Sequence, residues 1–167
     1  MSSPFIDLFV YGTLKRGYAN FAAHCGHALE VVPASVPGWL YHLPYGYPGA
    51  VIPQERILAE GSGDPEADAA LQWRHDPPAS PAPVSGYDRI QGEIMRLPEP
   101  RRSLPPVDRL EDFRADGRGM YRRALVLADP DPSSGSGPAS GPRPVWMYWM
   151  PEIPAGRYLR RGVWPEG

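Results

Sequence analysis

Apolar positions along this chain fall in short runs separated by turn residues. Phe5–Val10 is apolar apart from Asp7 and predicts a largely buried strand. Asn20 predicts a cap for a helix over about Phe21–Leu29, with Phe21, Cys25 and Ala28 on one face. Val36–Leu43 is rich in aromatic and aliphatic residues and predicts a second strand. After the Tyr47-Pro48-Gly49 turn, Ala50-Val51-Ile52 predicts a short third. Asp64-Pro65-Glu66 is a helix-start signature, so a short helix is expected over Pro65–Arg74. Tyr87–Leu97 alternates loosely, and Gly92 within it marks a bulge or a close backbone approach. Pro105 and Pro106 predict the start of a helix running to about Phe113. Met120–Ala128 and Pro144–Met150 predict the last two strands. Strands predominate, with two or three helices between them. That is the pattern of an α+β domain with a mostly antiparallel or mixed sheet.

The end of the first strand is the most informative point. The apolar run stops abruptly at Tyr11-Gly12-Thr13-Leu14. A strand ending in a tight glycine turn leaves backbone N–H groups without ladder partners, and these can converge on an anion or a developing oxyanion. Gly12 would permit φ > 0 and let a ligand approach the backbone. Tyr11 reads equally as a strand aromatic and as a ligand contact.

Composition narrows the function class. The 167 residues suit one domain. A net charge of −2 gives no electrostatic case for nucleic acid or an anionic membrane. Cys25 is the single cysteine, which rules out an internal disulfide. No apolar run approaches the ~20 residues of a membrane span. The start, Met-Ser-Ser-Pro, is unlike a signal peptide, so a soluble cytoplasmic protein is expected. Two stretches, about 60–85 and 129–143, are rich in Pro, Gly and Ser and read as insertions within the domain.

Glu111 is the leading candidate for chemistry. It lies at the border of the stripe set by Val107, Leu110 and Phe113, where a cleft can form. Asp108 and Asp112 flank it and would raise its proton affinity. The bland alternative is a solvated acidic face. Rival sites are weak. His24, Cys25 and His27 do not converge on one helical face as metal ligands must, so no metal site is expected. No Ser-His-acid elbow is present, and Gly61-Ser62-Gly63 lacks a Rossmann context. Trp146, Tyr148 and Trp149 read as sheet packing, because no basic stripe accompanies them.

Four blocks carry a resemblance to a known family. They are Val10–Gly17 with Asn20; Gly38–Tyr41 with Tyr47–Val51; Ile90–Ile94; and Val107–Asp112 with Tyr121–Arg123. In this order they resemble the γ-glutamylcyclotransferase-like superfamily, and its γ-glutamylamine cyclotransferase branch looks closest. The resemblance implies a single domain, a small curled mixed β-barrel with flanking helices. It implies conversion of a γ-glutamyl group to 5-oxoproline with release of an amine or peptide. Glu111 would be the catalytic acid/base, and Tyr11, Gly12, Thr13, Leu14 and Tyr121 would bind substrate. Tyr121 would orient Glu111 or the substrate, or serve only as a strand aromatic. Arg123 is expected in a surface ion pair, Asn20 as a helix cap and Lys15 as a solvated turn residue. No cofactor is needed, and the expected partner is a small γ-glutamyl compound. The family often has glycine where this chain has Asp112. A non-catalytic carboxylate-binding protein on the same fold is the alternative.

Overall fold

The structure is a computed structural model, and it describes residues 5–75, 85–132 and 141–165. Its centre is β1 (Phe5–Val10). β1 pairs antiparallel with β5 (Asp88–Pro98), from Phe5↔Pro98 to Val10↔Glu93, and parallel with β7 (Arg143–Trp149) at Leu8↔Trp146. β5 pairs with β2 (Glu30–His42), and β7 pairs with β6 (Arg122–Pro130). β2 and β6 then meet at Ala34↔Pro130 and Ser35↔Asp129, which closes five strands into a mixed barrel. β3 (Pro48–Val51), β4 (Ala59–Glu60) and β8 (Arg157–Tyr158) extend it at its margins. The expected α+β curled barrel is therefore present.

The apolar patterns follow from this closure. Along β1 and β7, one set of alternate residues fills the barrel: Phe9 and Tyr11, then Val145, Met147 and Trp149. The other set, Ile6, Leu8 and Val10 with Trp146 and Tyr148, faces a second cluster under the helices. Both faces are covered, so these strands read as nearly continuous apolar runs. In β2 the alternation is clean, with Val32, Ala34, Val36 and Leu40 buried. The strand is longer than Val36–Leu43 because Pro33 and Pro37 occupy the less buried positions between them.

Helix boundaries depart further from expectation. α1 (Phe21–His24) is a single turn. Gly26 and a run of turns follow it, so the apolar spacing over Phe21–Leu29 is not carried by one helix. Asn20 makes no side-chain cap to it. α2 (Pro65–Arg74) forms as predicted, with the Asp64 carboxylate accepting from the N–H groups of Glu66 and Ala67. It packs against α3, β1 and β7. α3 spans Pro100–Leu110, so Pro100 is the proline of its first turn, and Pro105 and Pro106 lie inside it. The buried stripe Pro100, Ser103, Leu104 and Val107 holds the helix down despite the missing N–H groups. The part of the first proposed insertion at 76–84 and the core of the second at 133–140 lie outside the described residues. Residues 141–165 include a C-terminal stretch that the sequence left unplaced. There β8 pairs with β2, and Leu159 and Trp164 join the barrel core. Among the described residues no helix is long and apolar enough to cross a membrane.

Candidate active site

A cavity of about 220 Å³ opens beside the end of β1. Its lining brings together all six residues singled out in the sequence: Tyr11, Gly12, Thr13, Leu14, Glu111 and Tyr121. It adds several that the sequence did not single out, including Tyr47, Pro48, Met120 and Tyr148. Tyr47 and Pro48 stood in a turn and in a resemblance block without a site role, and Met120 stood only as a strand end. Tyr148 was visible as a strand aromatic whose position behind the site depends on the pairing of β7 with β6.

The turn after β1 is held rigidly. Lys15 N–H donates to Gly12 O at 3.0 Å, and Asn20 N–H to Thr13 O at 2.9 Å. The Asn20 side chain, instead of capping α1, donates from Nδ2 to Thr13 Oγ1 at 2.8 Å. None of the turn and loop hydrogen bonds of the described residues uses the N–H of Gly12, Thr13 or Leu14 as donor. Those groups are the ones the cavity can offer to an anion. Gly12 is not among the glycines with positive φ, which corrects the conformational reason given for it. Its requirement is steric, because a Cβ would lie 2.7 Å from Pro48 Cγ and 2.9 Å from Pro48 Cδ.

Glu111 is placed by the end of α3. It is the C-cap, with its N–H on Val107 O at 3.0 Å. Asp112 N–H donates to Arg109 O and Phe113 N–H to Asp108 O, the paired bonds of a Schellman ending. Such an ending needs a left-handed residue just past the cap, and Asp112 has φ 50°. This accounts for aspartate where glycine is common. Asp tolerates the left-handed region better than most residues, and its carboxylate accepts from Met120 N–H at 2.9 Å.

Burial, and after it the negative charge of Asp108, push the Glu111 carboxyl up to about 7. Asp112 does not share in this, contrary to expectation. It is exposed and paired with Arg114 at 3.5 Å. Asp108 is itself raised by burial, against the pull of Arg123 and a hydrogen bond from Tyr148.

Behind Glu111 lies a buried ionic array. The Arg123 guanidinium has no exposed side-chain surface, so the expected surface ion pair is corrected. It reaches Asp68 of α2 at 2.6 Å and Asp108 of α3 at 3.0 Å, and donates to Ser62 O at 3.1 Å. Tyr148 Oη donates to Asp108 at 2.6 Å. Gly61 leaves room for this guanidinium, whose Nη1 would lie 2.9 Å from a Cβ there. Sequence spacing could not reveal the array, because its members come from four elements.

The remaining candidates resolve as follows. Tyr121 Oη donates to Pro48 O at 2.5 Å, so its proton is committed to the cavity wall and not to Glu111. Tyr11 Oη donates to Tyr148 O at 2.7 Å while its ring lies in the barrel core. Lys15 is not a free solvated residue. Its Nζ donates to Trp164 O at 2.5 Å, and burial lowers its pKa. Cys25 is buried, with its thiol pushed up to about 12. Among the described residues no group of three or more His, Cys, Asp or Glu is placed to hold a metal ion.

The fold and cavity define a curled mixed barrel whose cavity is lined by the glycine turn and by Glu111, the glutamate with the raised carboxyl. Residues 8–64 match the family model described as "Gamma-glutamyl cyclotransferase, AIG2-like", a stretch that contains the turn and ends before Glu111. Over residues 8–64 this match agrees with the resemblance read from the sequence, and it does not single out the amine branch. No curated protein matches the chain. Among solved structures, YkqA from Bacillus subtilis is similar with a TM-score of 0.56 at 18% identity, over 98% of this chain and 40% of that one. The chain therefore spans well under half of that protein. PH0828, an uncharacterized protein from Pyrococcus horikoshii, is similar with a TM-score of 0.50 at 15% identity, over 95% and 88% of the two chains. These similarities show a shared fold. An AIG2-like protein from Mus musculus has a TM-score of 0.48 at 19% identity, over 90% and 81% of the two chains.

Proposed function

We propose that this protein is a cyclotransferase that converts the γ-glutamyl group of a γ-glutamyl amine or peptide to 5-oxoproline. The observation that carries this reading is the placement of Glu111, with its carboxyl raised to about 7, in one cavity with the Tyr11–Leu14 turn. An ordinary glutamate, near 4.3, is a poor base at neutrality, and one near 7 is well matched to proton transfer.

In this reaction the substrate's α-amino nitrogen attacks its own γ-carbonyl carbon. A C–N bond closes the five-membered lactam, and the C–N bond to the departing amine breaks. Glu111 takes a proton from the α-ammonium and delivers it to the departing nitrogen. Two protons leave the ammonium over the cycle, and both end on the released amine. The N–H groups of Gly12, Thr13 and Leu14 hold the substrate carboxylate or the oxyanion. Nucleophile and electrophile share one molecule, so the rigid turn needs only to select the attacking conformer.

The test is 5-oxoproline release from a panel of γ-glutamyl amines and peptides by wild type and Glu111→Gln. Turnover should fall by about 10²–10⁴-fold in the variant, with binding measured separately by calorimetry. Near-wild-type turnover would end the assignment of Glu111. Binding without release by the wild type would replace the enzyme reading with that of a carboxylate-binding protein.

A further inference from the structure

A second cavity, of about 350 Å³, lies between α1 with the turns that follow it and the first half of α3. It shares no lining residue with the cavity beside β1. Its polar lining is His24, His27, Glu99, Arg102 and Ser103. α3 thus carries one cavity at each end, with Glu111 at its C-terminal one.

The hydrogen bonds present assign a role to each polar group. Ser103 has a single hydroxyl proton, and it goes to Pro98 O. The 2.9 Å contact between His27 Nε2 and Ser103 Oγ is therefore made by the imidazole N–H, with the hydroxyl accepting. In the neutral ring this leaves His27 Nδ1 as an acceptor. His24 Nδ1 is buried without a partner. A proton there would be a buried donor with nothing to receive it, so the neutral ring carries its proton on Nε2, at the opposite edge. Glu99 and Arg102 are exposed, and neither forms an ion pair among the described residues. The Glu99 side chain makes no cap hydrogen bond to α3 either.

The cavity therefore offers donors from the Arg102 guanidinium and His24 Nε2–H, and acceptors from the Glu99 carboxylate and His27 Nδ1. A simple anion would satisfy the donors and meet Glu99 as a like charge. A simple cation would meet Arg102 in the same way. A molecule with both a carboxylate and an ammonium complements the two sets together. The volume suits such a molecule at the size of a free amino acid.

We propose that this second cavity binds a small zwitterion, a free α-amino acid, with its carboxylate on Arg102 and His24 and its ammonium on Glu99 and His27. No residue of the reaction at Glu111 takes part, so the proposal stands or falls apart from the cyclotransferase reading. Water screens the exposed charges, which places the expected dissociation constant in the millimolar range.

Three matched probes test it: L-alanine, propionate, which lacks the ammonium, and ethylamine, which lacks the carboxylate. Each is titrated into the full chain to about 100 mM, ample for millimolar binding, at fixed pH and ionic strength. The readout is the NMR signals of the imidazole ring protons. The chain has four histidines, and His42 and His75, outside this cavity, serve as internal references. Alanine should shift the His24 and His27 rings along a saturating curve and leave the other two in place. Propionate and ethylamine should each bind at least about fivefold more weakly. Arg102→Gln and Glu99→Gln should each weaken alanine by about fivefold or more while the melting temperature stays at the wild-type value. Propionate or ethylamine matching alanine would make this a plain anion or cation site and overturn the proposal. So would alanine leaving both rings unmoved, moving all four rings alike, or binding both variants as it binds wild type.

Discussion

Glu111 couples its own protonation to stability. Its carboxyl is raised from about 4.5 to about 7, so the folded protein holds this proton more tightly than the unfolded chain does. The associated stabilisation is complete below the unfolded value and is lost as pH rises through the folded one. Glu111→Gln keeps the neutral shape at every pH. It should therefore match wild type in stability near pH 4, and exceed it by about 1–2 kcal/mol at pH 8, after allowing for the open side of the cavity. Urea unfolding of both proteins at the two pH values checks this, and equal stability at pH 8 would mean that the carboxylate is well solvated. Asp108 supplies the secondary part of the rise. Asp108→Asn should move the acidic limb of the pH–rate profile to lower pH, because less negative charge then opposes ionisation of Glu111. The place of Glu111 in the cavity lining was legible in the sequence, from its position at the border of an apolar stripe. The rank of its neighbours was not. Asp112 is adjacent along the chain but exposed, whereas Asp108 lies one turn back toward the buried array.

At the scale of elements, two short turns carry the site. Past α3, Asp112 sits at φ 50°, where a β-branched residue is strained. Asp112→Val should cost about 1–3 kcal/mol and displace Glu111, while Asp112→Gly should stay within about 1 kcal/mol of wild type. Thermal melts of the two variants, read with turnover, separate strain from charge. The turn after β1 depends on close contact instead. Gly12→Val forces a side chain against the Pro48 ring and should abolish binding of a γ-glutamyl ligand in a calorimetric titration, with a fold cost of about 1–3 kcal/mol. Unchanged affinity would remove this turn from the site. Element types were largely readable from period and turn residues. Boundaries were lost where proline carried a double meaning. Pro105-Pro106 reads as a helix start, yet the start is at Pro100, and packing of Leu104 and Val107 carries the helix through the pair. Pro33 concealed the first half of β2 in the same way, although Val32, Ala34 and Val36 keep strict alternation.

At the scale of the molecule, Arg123 joins β6 to α2 and α3, directly behind the cavity. Removing one partner of a buried ion pair leaves uncompensated charge. Arg123→Met should cost about 3–5 kcal/mol by chemical denaturation, and a loss below about 1 kcal/mol would mean that water or rearrangement satisfies Asp68 and Asp108. Nothing in the sequence separated this arginine from a surface one. Its burial depends on the pairing of β6 with β7 and on the docking of α2, which are contacts between distant parts of the chain. Barrel closure was similarly invisible to pattern alone, since it rests on two residue pairs between β2 and β6.

Lys15 is the single lysine of the chain, and its ammonium is anchored to the backbone of Trp164, 149 positions away. The indole of Trp164 also stacks on His42, lies tilted against Tyr18 and donates to His42 Nδ1. The turn that lines the cavity is thus tied, through Lys15, to the C-terminal stretch. One side-chain amine, with a depressed pKa and a fixed acceptor, makes a built-in chemical reporter. Acylation by an amine-reactive reagent would label this side chain at one place only, and its rate would measure how often that tie opens.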